Sequence, residues 1–146
     1  MANEVPYAFP VELLSGTHDF ATDTFKLALY TANPYTQSTS TVYVTGSETT
    51  GAEYSAGGNT LAGNAVTNVA DIATVDFTDS VWGDPTPATF SAAFAALYNS
   101  SESNKLVVVL DFLGTKSCSN GTFTVTFPDP TSGSPSGADA LLSITS

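Results

Sequence analysis

The sequence predicts an all-β fold, an antiparallel β-sandwich or jelly roll with one short N-terminal helix. Three observations carry that prediction. β-Branched and aromatic residues recur at period two, as in GTFTVTF (121–127), where Phe123, Val125 and Phe127 alternate with Thr122, Thr124 and Thr126. Gly, Pro, Asn and Ser punctuate the chain at short spacing, as turns require. A single stretch, PVELLSG, carries helix signals, with Pro10 suited to the first helical position and Gly16 to the residue after the last.

Strands are expected over 24–31, 41–45, 60–69 and 72–78, then over 89–99, 104–112, 121–127 and 140–145. In the first, Phe25, Leu27 and Leu29 form an inward row, matched by Phe123, Val125 and Phe127 from a second sheet. LVVVL (106–110) has no polar alternate and reads as a central strand covered on both faces. FSAAFAALY (90–98) fits two periods. Phe90, Phe94 and Leu97 have helical spacing, while Phe90, Ala92, Phe94, Ala96 and Tyr98 share one face of a strand. The strand is preferred, because NSSESN (99–104) then closes a hairpin into KLVVVL. DPTSGSPSG (129–137) reads as a long loop, since ADALLSIT beyond it still needs a sheet. The organisation expected is one sandwich domain over 1–146, with an arm and short helix over 1–16 and the β-domain over 17–146.

Length and charge bound the function. A chain of 146 residues can bury roughly 70% of its unfolded surface and needs no staple to hold a core. Fourteen acidic residues face Lys26, Lys105 and Lys116 and no arginine, a net charge of −11. Nucleic acid needs a basic footprint, so it is not an expected partner. Anionic membrane surfaces are disfavoured likewise. Charged residues are 12% and apolar residues 42%, which separates this chain from a disordered acidic tail. The opening MANEVPYAFPVELL has neither a basic segment nor a continuous apolar core, so no secretory leader is expected, and no apolar run approaches the roughly 20 residues of a membrane span.

The candidate chemical groups are sparse. Cys118 is the lone cysteine, expected in a polar loop, TKSCSNG, as an incidental thiol. His18 is the lone histidine and no G-x-S-x-G elbow exists, so His18 reads as a loop residue bonded to a neighbour. No catalytic residue, and no enzyme, is expected. Asp76, Asp79 and Asp84 could offer oxygen ligands to Ca²⁺, but their spacing matches no EF-hand. They read as a solvated turn around a packed Trp82, with no metal or other cofactor. GAEYSAGGNTLAG (51–63) is followed by a strand where a phosphate cradle needs a helix, has no lysine nearby, and reads as a loop or a place of close backbone packing. Tyr7, Tyr35, Tyr54 and Trp82 sit at segment edges, where aromatics stack on sugars or, more often, anchor loops.

The arm is different. Residues 1–16 hold two prolines with Tyr7, Phe9, Val11, Leu13 and Leu14, too much apolar surface for a solvated tail. The arm must fold onto its own sandwich, which Leu13 and Leu14 just before the first strand favour, or dock on a neighbour through Tyr7 and Phe9. Tyr7, Phe9, Leu13 and Leu14 are the candidate partner-binding residues.

Several segments together resemble a known family. LLSGTHDFATDTFKLALYT (13–31), GAEYSAGGNTLAG (51–63) and VDFTDSVWGDPTPATFSAAFAALYNSSESNKLVVVLDFLGTKSCSNGTFTVTFP (75–128) resemble small tailed-bacteriophage virion structural proteins. The resemblance implies a β-rich particle component that decorates or cements an icosahedral head. It implies a place on the capsid exterior and the major capsid protein as partner, with no catalytic residue to carry over; the arm aromatics Tyr7 and Phe9 and exposed strand edges add the expectation of a homo-oligomer, a dimer or trimer. A threonine- and aspartate-rich exterior stays hydrated and does not adhere to DNA, which suits that setting. The alternative is a phage fibre or adhesin module that binds a host-surface glycan or receptor through loop aromatics.

Overall fold

A computed structural model of the chain describes residues 3–69, 72–127 and 142–145. The fold is all-β with one short helix. Helix α1 (Ala8–Leu14) is followed by β1 (Phe25–Tyr30), β2 (Asn59–Thr60), β3 (Ala65–Val69), β4 (Ile72–Asp76) and β5 (Ser80–Trp82). Then come β6 (Ala88–Asn99), β7 (Lys105–Gly121), β8 (Phe123–Val125) and β9 (Leu142–Thr145). They form sheets in the orders β2-β1-β6-β7, β3-β4-β9 and β5-β8, all antiparallel. These orders do not by themselves make a jelly roll. The 129–137 loop lies outside the described residues.

The β6–β7 hairpin is the spine. Residues 100–104 close it, with Ser103 and Asn104 in the left-handed region that a tight turn needs. β5 and β8 prolong it: Ala88 opposes Gly121 and Trp82 opposes Phe123, so residues 83–87 loop out against Thr122. The two-stranded sheet is the far end of the hairpin, folded over the core. There Trp82, Phe123, Val125 and Phe127 meet Phe25, Leu27 and Leu29 of β1 in one buried cluster, as the alternating rows predict. Thr122, Thr124 and Thr126 face out. A second cluster, with Tyr30, Tyr35, Tyr98, Leu106 and Val109, covers the opposite face of the four-stranded sheet. Covered on both sides, β1 is buried at every position but Lys26.

Alanine-rich 88–99 is a strand, not a helix. Pairing with β1 on one side and β7 on the other overrides alanine's helical preference, and small side chains at Ala92, Ala95 and Ala96 fit between two packed layers. Residues 106–109 are buried on both faces as predicted, but β7 ends the sheet order instead of lying centrally. Main chain covers its outer edge there: Glu4 exchanges two hydrogen bonds of 2.8 Å with Val109, and Leu106 N–H donates to Thr41 O at 2.9 Å.

Other expectations need correction. Residues 41–45 form no strand; Val42 makes one bridge to Lys105, because Tyr43 turns inward to stack on Tyr98 at 4.6 Å. The single strand expected over 60–69 is broken into β2 and β3. Gly63 has φ +68°, and a Cβ there would lie 2.2 Å from Thr78 Oγ1, so the chain leaves one sheet for another. The polar run around Cys118 is strand: β7 continues to Gly121 past a bulge in which residues 112–115 oppose Ala93 alone. The turn expected at Asp76–Asp84 contains β5, although Trp82 is packed, 3% exposed. Helix α1 starts at Ala8, making Pro10 its third residue. In the first turn the missing N–H is still one that would have no intrahelical acceptor.

Candidate interaction surface

Seven residues make α1, and it ends in a complete Schellman motif. Gly16 N–H donates to Leu13 O at 3.1 Å and Thr17 N–H to Glu12 O at 2.9 Å, with Gly16 at φ +73°. The helix has two apolar faces. Phe9 and Leu13, four residues apart, point inward; Phe9 is 4% exposed and packs on His18 and Phe20. Tyr7, Val11 and Leu14 fall on the other side at i, i+4 and i+7, and are 65%, 65% and 90% exposed. An amphipathic helix would place polar groups there. This one does not.

Glu12 and His18 keep the helix in place. The Glu12 carboxylate accepts from Lys105 Nζ through one oxygen and from His18 Nε2 at 3.2 Å through the other. His18 Nδ1 accepts from Asn99 Nδ2 at 3.2 Å, which assigns the proton to Nε2. Asn99 Nδ2 also donates to Asp23 Oδ2 at 2.7 Å, and Asn99 Oδ1 accepts the N–H groups of Ser101 and Glu102. The lone histidine is bonded to neighbours as predicted, and both its ring nitrogens are engaged inside the scaffold. Sequence reading could not find this network, since the bonds that join the helix and its loop to the hairpin span 76 to 93 residues.

Beside the helix, a cleft of about 560 Å³ opens between α1, the following loop and the β3–β4 hairpin. Phe9, Leu13, Phe20, Val66 and Val75 line it, with Gly16 at one side. Of its polar members, His18 and Thr74 are bonded within the fold, while the Asp19 carboxylate is exposed. Thr74 Oγ1 bonds Thr67 Oγ1 at 2.9 Å, and the Asp19 carboxyl is held below the usual carboxylate range by hydrogen bonds from the Thr22 side chain and the Ala21 N–H.

The four aromatics considered for sugar stacking divide sharply. Tyr35 is 6% and Trp82 3% exposed, while Tyr54 is half-buried against the core. Only Tyr7 is open. Five of the six tyrosines surround Glu48: Tyr30, Tyr35, Tyr43 and Tyr98 from the second cluster, and Tyr54 from the first. The Glu48 carboxylate accepts from Tyr43 Oη at 2.6 Å, Tyr54 Oη at 2.8 Å and Gly57 N–H at 2.6 Å, while Tyr30 and Tyr35 share a 2.7 Å bond. Burial raises the pKa of all five, with Tyr98 pushed up to about 12.

Cys118 is half-buried, with Sγ 3.8 Å from Phe90 O. Asp79 Oδ1 accepts Phe127 N–H at 2.9 Å. Among the described residues, no group of three or more His, Cys, Asp or Glu side chains is placed to hold a metal ion, and no helix is long and apolar enough to cross a membrane. Of the four predicted contact residues, Tyr7 and Leu14 are open, Leu13 lines the cleft, and Phe9 is in the core. Val11 completes the outward stripe; its spacing from Tyr7 and Leu14 was the available signal. Comparison with protein families, curated proteins and solved structures finds no match to this chain.

Proposed function

We propose that this chain is a bacteriophage virion structural protein, a capsid decoration or cement protein that bridges neighbouring major capsid subunits on the head exterior. One observation carries the reading: a short helix, capped and pinned to the core, offers Tyr7, Val11 and Leu14 to solvent. Such a face is stable in water when association covers it. The resemblance of residues 13–31, 51–63 and 75–128 to small virion proteins supplies the setting. Threonine on the outward face of β8 keeps the remaining exterior hydrated, with no cationic surface to attract packaged DNA. The fibre or adhesin alternative draws less support, because three of the four candidate stacking aromatics are turned inward.

Quantitative gels of purified particles test this. The proposal expects the protein in copy numbers comparable to the capsomers. It also expects a Val11→Gln, Leu14→Gln variant, folded by its melting curve, to be lost from them. A handful of copies per particle, or full incorporation of the variant, would overturn it.

A further inference from the structure

We propose that the free edge of β8 takes an extended, acidic peptide strand from another protein, paired backbone to backbone along residues 122–126. Nothing in this contact depends on the exposed face of α1.

Among the described residues, β8 has a single strand neighbour, β5. Val81 turns its carbonyl away from β8 and accepts from Asn59 Nδ2 at 2.8 Å. It lies opposite Thr124, and two such residues direct their main-chain groups either toward each other or both away. Thr124 therefore directs its N–H and C=O out of the sheet. Phe127 N–H reaches back to Asp79 Oδ1 at 2.9 Å, on the β5 side, so the same alternation turns Thr126 outward. A groove of about 420 Å³ runs along that edge. Thr122, Phe123, Thr124, Val125 and Thr126 all line it, inward- and outward-facing side chains alike, and no β5 residue does. It thus follows the main chain and not one face of the strand. At about 3.3 Å per residue its length is roughly 13 Å, room for about four paired residues.

Two features choose the occupant. Outward N–H and C=O groups at strand spacing are matched by the main chain of another extended segment. Lys116 stands in the groove wall with Phe112, exposed and without an ion-pair partner among the described residues. No carboxylate lines the groove, although the chain carries a net charge of −11. An acidic side chain on the incoming strand gains a partner there. The same edge of a second copy, with threonine at 122, 124 and 126, brings no such charge.

Amide chemical shifts of the labelled full chain, titrated with the blocked peptide acetyl-Val-Thr-Glu-Thr-Val-amide, test the contact. Binding is expected to move the Thr124 and Thr126 amides most. Replacing the peptide's glutamate by lysine should weaken binding about twofold to fivefold, and Lys116→Glu should reverse that preference. N-methylation of alternate peptide amides removes the donors that face β8 and keeps every side chain; it should weaken binding about tenfold or more. Thr124→Pro removes the outward N–H, leaves the β5 ladder intact and should bring a similar loss. Should that variant melt early, the methylated peptide makes the same test on the wild type. No binding at millimolar peptide, equal binding of the methylated peptide, or a charge preference unmoved by Lys116→Glu would overturn the proposal. So would Thr124 and Thr126 shifts that grow with protein concentration in the absence of peptide, which would give the edge to a second copy.

Discussion

Asn99 Nδ2 stands 3.2 Å from His18 Nδ1, joining the end of β6 to the loop that follows α1, and His18 in turn holds Glu12. Substituting His18 by alanine therefore removes a 6%-exposed ring, leaves one oxygen of Glu12 and one hydrogen of Asn99 without their partner, and opens space beside Phe9. The expected loss is about 2–4 kcal/mol, read from the chemical denaturation midpoint. An unaltered midpoint would show the network holds nothing.

Phe9 and Leu14 should behave oppositely, although both are apolar residues of one helix. Phe9→Ala is expected to cost about 3–5 kcal/mol, and Leu14→Gln within about 0.5 kcal/mol of nothing. Urea unfolding of the two variants, run side by side, measures the contrast. Deleting residues 1–9 would remove Phe9 from the core together with the Glu4 bonds to Val109, so truncation tests folding before attachment.

The tyrosines around Glu48 set an alkaline limit. Their protonated forms are favoured in the folded state, so the folded protein keeps protons that the unfolded chain releases near pH 10. Stability from this source is fully present below about pH 10 and falls as pH rises through the folded values, of which Tyr98 lies at about 12. Tyrosinate absorbance and loss of near-ultraviolet circular dichroism should rise together above pH 10. Ionisation of all six tyrosines at pH 10, with the fold retained, would contradict the burial assigned to them.

Gly58 cannot accept a side chain. A Cβ would lie 1.8 Å from Leu27 O, and the residue has φ +69°. Gly58→Ala should force β1 and the 55–58 turn apart, at a cost of about 3 kcal/mol or more, visible as a lowered Tm. A melting curve like that of the wild type would refute this.

Cys118→Ala is expected to be nearly silent. The thiol is half-buried at the edge of the first core cluster and makes one weak hydrogen bond to Phe90 O, so the change should stay within about 1 kcal/mol, with particle incorporation intact. Thermal melting and the incorporation assay check both halves.

Local pattern alone determined the strand at Phe25–Tyr30, the inward rows that meet in the core, the hairpin closed by 99–104 and the helix ended by Gly16. Each depends on neighbours two to four residues apart, where alternation, helical spacing and turn chemistry act. The apolar arm was legible as an association candidate for the same reason. Tertiary structure decided what no window of sequence contains. β7 continues through polar Cys118 because β6 lies opposite, and Gly63 breaks a strand because Thr78 stands against it. Phe9 and Leu13 went inward, with Tyr7, Val11 and Leu14 left outside, only once Lys105 and Asn99 arrived from the far hairpin to hold Glu12 and His18. Periodicity shows that a helix has faces; contacts distant in sequence choose which one is buried.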